Sequence, residues 1–347
     1  MNMKNTDPII TVCIPLFQTE LYLTKCLRSV LMQDFDDFEV FIVSDASDGK
    51  DEKGHRAKKI INITKKECNH WRKKNGLKPV TVRFREHQEN RGLIEVRRTL
   101  FLEAKGKFVT QVDSDDEMEP GALKALYSAA KESGADIVHG TSTAGTYDSE
   151  DNFIPQEFNR NGKIFYGIVE GRQIFHTWLI DNSFTANTWG KLIQREILEK
   201  AYDNIPYTEC NLADDALVFF FLSQNAKKYI GIKNKVYRYR VNTGMTSAKK
   251  IDTLHKWKMT CSSASVFSIL NTWIEEQKNN PTSKMLLPEE VEKIHELTRL
   301  YLHNNLMQLQ QRVIPELQPA AREMLCEYWG ESFVNRIEKY IEKSQSE

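Results

Sequence analysis

Short apolar runs alternate with helical patterns along residues 8–113. The apolar runs predict four strands, at residues 8–17, 38–45, 80–86 and 107–113. Between them, apolar residues recur every three or four positions, which predicts helices at residues 19–33, 51–75 and 92–104. This alternation predicts an α/β fold with a mostly parallel central sheet and helices on both faces.

The later part of the chain has a different pattern. Helices are predicted at residues 121–133, 170–180, 191–201 and 214–226. Strands are predicted at residues 135–147 and, as a pair of short strands, within residues 228–242. From about residue 250 the sequence consists of long helical segments with few glycines. We therefore expect a main domain over residues 1–245 and a helical C-terminal extension over residues 250–347.

An acidic cluster follows the fourth predicted strand. Asp113, Asp115, Asp116 and Glu117 lie within five positions, with Ser114 among them. In sheets of this kind ligands bind beyond the carboxyl ends of the strands. Two carboxylates two positions apart could hold Mg²⁺ or Mn²⁺, which prefer oxygen ligands. Alternatively, the acids cap the next helix and offset its dipole.

Three further groups of charged residues are candidates. Asp45 follows the second strand and either belongs to a turn or accepts hydrogen bonds from a nucleotide. The arginines around the third helix either bind a diphosphate or form a solvated helix face. These arginines are Arg91, Arg97 and Arg98. The pair Asp214 and Asp215 opens a very apolar helix, where it either caps the helix or supplies a general base of raised pKa.

Composition excludes several classes of protein. The 347 residues carry no net charge, so no overall field attracts nucleic acid. The six cysteines are dispersed without a Cys-x-x-Cys pair, which argues against a structural zinc site and a disulfide framework. The polar N-terminus and the lack of a long apolar run predict a cytoplasmic protein, at most peripheral at the inner face of the membrane. The basic segment 51–75 could contact anionic lipid, although a solvated charged face is the simpler interpretation.

Several motifs, in this order and spacing, resemble the family 2 glycosyltransferases. These are inverting nucleotide-sugar enzymes with the GT-A fold, and the resemblance covers about residues 9–247. The first block is "ITVCIPLFQTELYLTKCLRSVLMQDFDDFEVFIVSDAS", similar to the family's opening strand, helix and Asp-ended strand. The second is "ENRGLIEVRRTLFLEAKGKFVTQVDSDD", which ends in an Asp-x-Asp motif. The segments "TWGKLIQREIL" and "YRYRVNTGMTS" resemble later blocks common in bacterial members.

The resemblance implies roles for individual residues. Asp45 would contact the base, with Pro15 and Phe17 at the border of its pocket. Arg97 would lie near the nucleotide-binding wall. The pair Asp113 and Asp115 matches the Asp-x-Asp motif, in which Asp113 also borders the nucleotide and Asp115 is the more direct metal ligand. Asp215 would be the catalytic base.

Four positions depart from the family pattern. Gln18 stands where Asn is common, Ser44 where Asp is common and Ala46 where Gly is common. Asp214 replaces the Glu that usually precedes the base. None of these changes removes a core carboxylate, but they leave open which nucleotide is preferred.

The implied reaction is a single displacement on a nucleotide-sugar, by default a UDP-sugar, assisted by Mn²⁺ or Mg²⁺. The implied acceptor is a hydroxyl of a glycan or lipid-linked glycan in surface polysaccharide synthesis. A nucleotidyltransferase would need a Gly-rich loop after the first strand, whereas "PLFQTELYL" has no glycine. A non-catalytic, nucleotide-sugar-binding scaffold remains the alternative. The C-terminal helices either pack on the main domain, form a homo-oligomer, dock a partner or contact a membrane-borne acceptor.

Overall fold

The computed structural model describes residues 7–157, 162–241, 243, 250–278 and 286–346. The chain divides into two compact units. The first unit comprises Met1–Asn204 and Val218–Gly244, and the second comprises Ile205–Leu217 and Met245–Glu347. No helix among the described residues is long and apolar enough to cross a membrane.

Ten strands form one sheet in the first unit. They are β1 (Ile10–Leu16), β2 (Phe38–Ser44), β3 (Thr81–Glu86), β4 (Phe108–Gln111), β5 (Glu117–Met118), β6 (Ile137–Tyr147), β7 (Phe153–Pro155), β8 (Gly167–Glu170), β9 (Lys191–Gln194) and β10 (Lys228–Arg240). The strand order is β3-β2-β1-β4-β9-β6-β10-β5, with β7 beside β6 and β8 beside β10.

The described α-helices number twelve. They are α1 (Glu20–Leu31), α2 (Ala57–Lys74), α3 (Leu93–Leu102), α4 (Ala122–Ser133), α5 (Gln173–Leu179), α6 (Arg195–Tyr202), α7 (Asp214–Asn225), α8 (Leu254–Cys261), α9 (Ser263–Lys278), α10 (Pro288–Gln311), α11 (Gln318–Trp329) and α12 (Glu331–Ser346).

Most of the sheet runs in one direction. Strands β1 to β4 pair in parallel, and β10 pairs in parallel with β6. Strand β9 is antiparallel to both β4 and β6, so these two run the same way. Six strands therefore share a direction, which confirms the predicted α/β class with a mostly parallel sheet.

Side chains of β1 alternate between the two faces of the sheet, as a strand requires. Val12 and Ile14 belong to a core that also contains residues of α1, α2 and α4. The Cys13 thiol, between them, points the other way and lies 3.6 Å from the Leu100 carbonyl oxygen of α3. Helices thus cover both faces, as predicted.

Two predicted elements were wrong. The helix predicted for residues 191–201 is wrong at its start, because Lys191–Gln194 form strand β9, which pairs with β4 and β6. Residues 228–242 were predicted as two strands, but β10 is a single strand whose register shifts between Gly231 and Tyr237. In both cases sheet pairing, which a local pattern does not contain, decided the structure.

Helices α8 to α12 and residues 205–217 form the second unit. Trp257, wholly buried, donates from its indole nitrogen to the Ala321 carbonyl oxygen at 2.7 Å. Segment 205–217 is grouped with this unit, and Glu209 pairs with Lys258 at 2.6 Å. The Asn211 backbone N–H also donates to the Ser262 hydroxyl at 3.1 Å.

Candidate active site

The predicted site residues of the first unit lie at one edge of the sheet. Because β1, β2 and β4 are parallel and in register, their carboxyl ends meet there. Phe17 follows β1 directly, Asp45 follows β2 directly, and Asp113 lies two residues past β4. The sheet therefore brings together segments that are far apart in the sequence.

Residues 113–117, here called the acidic turn, are fixed to β10 by a buried carboxylate. Asp116 is only 2% exposed and accepts hydrogen bonds from the Tyr237 hydroxyl and the Arg240 backbone N–H, both at 2.7 Å. The Tyr237 hydroxyl in turn accepts a hydrogen bond from the Asp113 backbone N–H at 3.1 Å. Burial, together with the charges of Asp115 and Asp113, raises the pKa of Asp116 well above its usual value. Nothing in the local sequence distinguishes Asp116 from its acidic neighbours.

The carboxylates of Asp113 and Asp115 are partly exposed. One oxygen of Asp113 accepts a hydrogen bond from the Gln111 amide at 2.7 Å, and one oxygen of Asp115 accepts from the Thr243 hydroxyl at 2.9 Å. Burial raises the pKa of Asp115, so a nearby positive charge would stabilise its ionised form. The Arg240 guanidinium donates to the Asp115 carbonyl oxygen at 3.0 Å and braces the turn.

The donor set fits a cation that is shared with a ligand. Within the described residues, no group of three or more His, Cys, Asp or Glu side chains is arranged to hold a metal ion. Asp113 and Asp115 alone supply two oxygen ligands of the kind that Mg²⁺ and Mn²⁺ prefer. In nucleotide sites these ions take their remaining ligands from water and phosphate. The pair is therefore compatible with a cation bound together with a diphosphate.

The acidic turn also contacts the segment that leads from β1 into α1. The hydroxyls of Ser114 and Thr19 lie 2.6 Å apart, and both residues are buried. Pro15 is buried within β1, whereas Phe17 is half-buried and follows it. The ring of Phe17 is thus the more accessible of the two residues predicted to border the base.

Asp45 is engaged by the segment before α3. Its carboxylate accepts from the His87 ring at 2.8 Å, from the Arg91 backbone N–H at 3.0 Å to each oxygen, and from the Gly92 backbone N–H at 2.9 Å. Four such interactions match the acceptor capacity of a carboxylate. Asp45 is 2% exposed, so in this structure it positions residues 87–92, and its predicted contact with a base stays a prediction.

Two residues that depart from the family pattern have left-handed backbones. Gln18 has φ 56° and Ala46 has φ 54°, a region that favours Gly and tolerates Asn. The Gln18 backbone N–H donates to the Ser47 hydroxyl at 2.8 Å, so the corners after β1 and β2 support each other. The usual Asn and Gly would relieve strain that this chain retains.

The arginines of α3 have different environments. Arg98 donates to both oxygens of Glu95, at 2.8 and 3.2 Å, and its guanidinium lies over the Tyr202 ring. It therefore serves the packing of α3. Arg97 is buried at 2% exposure, and its predicted place near the nucleotide stays a prediction.

Asp214 and Asp215 form the first turn of α7 and fall in the second unit. Asp214 is buried, Asp215 is half-buried, and Ala213 before them has φ 67°. In the same unit, burial raises the pKa of Tyr301, and the charges of Asp215 and Asp214 add to the effect. Both acids lie where the helix dipole favours negative charge. The role of Asp215 as a base stays a prediction.

Glu20 is a buried carboxylate that the sequence analysis missed. It is the first residue of α1 and is 1% exposed, and neither oxygen has a hydrogen-bond partner among the described residues. It packs against Gly49, where an added Cβ would lie 1.9 Å from a carboxylate oxygen. An acid at the start of a helix ordinarily suggests only a favourable dipole interaction, so no sequence signal marks its burial.

A comparison with protein families and with known relatives was consistent with these features. The model of glycosyl transferase family 2 matches residues 11–201. The glycosyltransferase GlyA of Streptococcus pneumoniae serotype 4 is 28% identical over 254 residues, which cover 70% of this chain and 32% of GlyA. The glycosyltransferase GlyG of the same organism is 26% identical over 250 residues, covering 70% of this chain and 74% of GlyG. The matched region thus spans only about a third of GlyA.

Among solved structures, residues 1–349 of S. aureus TarS in complex with UDP-GlcNAc resemble this chain with a TM-score of 0.50. The two are 19% identical, and the match covers 95% of this chain and 91% of that one. At this identity the likeness concerns the fold alone, and it supports the predicted GT-A type of fold.

The left-handed corner at Ala46 generates a testable prediction. Ala46→Gly should raise the free energy of unfolding by about 1 kcal/mol, because the Cβ that disfavours a left-handed backbone is removed. The matched control is Ala125→Gly in the middle of α4, which should lower it by about 1 kcal/mol. Urea denaturation of both variants measures the difference, and a loss of stability in Ala46→Gly would contradict the strain argument.

Glu20 generates a second prediction. Glu20→Met should raise the free energy of unfolding by about 1–3 kcal/mol, because a buried carboxylate without donors is replaced by an apolar side chain of similar length. Glu132→Met, on the exposed side of α4, should change it by less than about 0.5 kcal/mol. Thermal and urea denaturation at pH 7 measure both variants. A clear loss of stability in Glu20→Met would show that this carboxylate has donors in solution.

Proposed function

Because the chain belongs to glycosyl transferase family 2, we propose that it transfers a sugar from a nucleotide-sugar to a hydroxyl of a glycan or lipid-linked glycan. The observation that carries the proposal is the acidic turn. It presents Asp113 and Asp115 at the carboxyl edge of the sheet while Asp116 is turned inward. A UDP-sugar is the preferred donor, and the UDP-GlcNAc complex of TarS supports this choice.

The donor's base would lie against the corners after β1 and β2. Pro15 and Phe17 border this place, and Asp45 holds the backbone of residues 87–92 beside it. Asp45 then acts by positioning the segment that the base contacts, and its carboxylate joins the contact directly if those bonds open. Buried Arg97, in the helix that follows, would support the same wall.

The donor's diphosphate would lie at the acidic turn. Asp113 and Asp115 would hold Mn²⁺ or Mg²⁺ there, with Asp115 as the more direct ligand. When bound, such a cation supplies positive charge that stabilises the departing nucleoside diphosphate. The hydrogen bonds from Gln111 and Thr243 orient the two carboxylates, and Asp116 keeps the turn attached to β10.

The reaction would be a single displacement with inversion. The acceptor oxygen forms a bond to the anomeric carbon while the bond from that carbon to the diphosphate oxygen breaks. The acceptor's hydroxyl proton passes to the carboxylate of Asp215, which acts as general base. Asp215 suits this role because its partly exposed carboxylate, in the first turn of α7, can be reached by an acceptor hydroxyl.

The cellular setting follows from the same proposal. Nucleotide-sugars are cytoplasmic metabolites, so we place the reaction in the cytoplasm. When the acceptor is lipid-linked, the reaction would take place at the inner face of the membrane. Synthesis of a surface polysaccharide is the process that such an acceptor serves. A homo-oligomer formed through the C-terminal helices belongs to this proposal as well.

Calorimetric titration of UDP and GDP, with and without Mn²⁺, tests the donor site. The wild type should bind one nucleotide in a metal-dependent manner, and Asp115→Ala should weaken that binding at least about 10-fold. Since the pKa of Asp115 is raised, the metal-dependent affinity should fall on acidification at a pH above the ordinary aspartate value of about 3.9. Asp34→Ala, at an aspartate that is 70% exposed, is the matched control and should bind as the wild type does.

Two outcomes would contradict the proposal. A folded wild type that binds neither nucleotide would favour a scaffold protein and make the acids a helix cap. Equal, metal-independent binding by the wild type and Asp115→Ala would remove the cation from the acidic turn. Asp215→Asn should bind nucleotide normally but lose transfer, so it separates donor binding from proton abstraction.

A further inference from the structure

The second unit has a groove between α10 and α12 that the proposed reaction does not use. Its cavity measures about 730 Å³. The apolar part of its lining consists of Leu300, Phe333, Ile337 and Tyr340. Two of these side chains are largely exposed, Leu300 at 50% and Tyr340 at 69%. An exposed apolar patch of this kind on a soluble chain indicates an interaction surface.

The polar part of the lining is basic. It consists of His295, Arg299, His303 and Arg336, with Thr298 as the one uncharged polar residue. The first three are four positions apart, so they share one face of α10. Among the described residues no Asp or Glu lines the groove. The surface thus combines an apolar floor with positive charge.

One acid, Glu292, lies beside this basic face and pairs with Arg299. Glu292 accepts a hydrogen bond from Arg299 at 2.6 Å and lies 3.8 Å from His295. Both members of the Glu292–Arg299 pair are about half exposed, so the pair contributes little free energy and Arg299 can exchange Glu292 for a phosphate at small cost. Arg336 lies over the Phe333 ring at 5.4 Å, and a buried nitrogen of His303 has no hydrogen-bond partner within the described part of the chain.

A second copy of this chain is a poor occupant. In a two-fold dimer the same surface meets itself, which would set Arg299 and Arg336 of one protomer against those of the other. Such like charges at the centre of an interface oppose association. The lining of the groove instead complements a partner that is both anionic and apolar.

We propose that the groove between α10 and α12 binds anionic lipid at a membrane surface. The phosphate of a headgroup would lie between Arg299 and Arg336, and the start of an acyl chain would cover Leu300 and Ile337. Tyr340, with an apolar ring and a polar hydroxyl, suits the boundary between headgroups and acyl chains. Long arginine side chains can cover apolar surface while their charged ends reach the phosphates.

Helix α2 is the rival surface, because the sequence analysis singled out its basic segment. Its exposed lysines include Lys58, Lys59 and Lys66. The apolar residues Ile60 and Ile61 point into the core, and Ile63 is 37% exposed. The outward face of α2 therefore offers charge with less apolar area than the groove, where Leu300 and Tyr340 are 50% and 69% exposed. Interfacial helices need both, which favours the groove.

Co-sedimentation with lipid vesicles tests the proposal on the full chain. The probes are vesicles of phosphatidylcholine alone and vesicles in which about a third is phosphatidylglycerol. The wild type should sediment with the anionic vesicles and should not sediment with the neutral ones. The double variant Arg299→Glu/Arg336→Glu should weaken binding about 25-fold or more, since each basic residue contributes near the surface. Leu300→Ser/Tyr340→Ser should weaken it as well.

The matched control reverses two charges elsewhere. Lys59→Glu/Lys66→Glu makes the same change in net charge on α2 and should alter vesicle binding by less than about 3-fold. Circular dichroism and nucleotide titration check that every variant is folded. The lipid proposal does not rest on glycosyl transfer. A variant that binds nucleotide normally but loses vesicle binding therefore bears on the groove alone.

Three results would overturn the proposal. In the first, the wild-type protein stays in the supernatant when the anionic vesicles are sedimented. The α2 control could lose binding while the groove variants keep it, which would assign the surface to α2. The groove variants could bind vesicles normally but change the oligomeric state in light scattering, which would make the groove an interface between copies of the chain.

Discussion

The candidate active site depends on the hydrogen bonds that one buried carboxylate accepts. Four acids within five residues repel one another, and the chain places one of them, Asp116, inside the protein. Its hydrogen bonds from Tyr237 and Arg240 attach the acidic turn to β10, so Asp113 and Asp115 stay at the sheet edge. A buried carboxylate without such donors would cost several kcal/mol or lose its charge. The network therefore makes a dense acidic cluster compatible with a stable fold.

The same edge contains other costly features, which is common where a structure serves a ligand. Gln18 and Ala46 hold left-handed backbones, and Glu20 buries a carboxylate whose oxygens lack partners in the described structure. The Ser114–Thr19 and Gln18–Ser47 contacts link three loops that carry these features. These loops are already held in place before a donor binds. Little free energy would therefore be lost in ordering them on binding.

Local patterns predicted the first four strands and the helices between them, because each has a strong period of its own. They failed at β9, whose four residues form a strand only because they pair with β4 and β6. They also failed at β10, which is one strand and not two. They placed Asp113, Asp115 and Asp45 at the carboxyl edge of the sheet, where the structure has them, since parallel strands fix where carboxyl ends lie. They could not separate inward Asp116 from outward Asp115, nor show that Asp45 is held by residues 87–92, because those facts depend on distant partners.

The most direct test of the account is to observe Mn²⁺ itself at the acidic turn. Electron paramagnetic resonance of Mn²⁺ in the presence of UDP should show one bound ion per wild-type chain. Asp113→Asn and Asp115→Asn should release that ion, whereas Asp34→Asn should retain it. If both acidic-turn variants bound Mn²⁺ as the wild type does, the carboxylates would not be ligands, and the proposed role of the turn would be wrong.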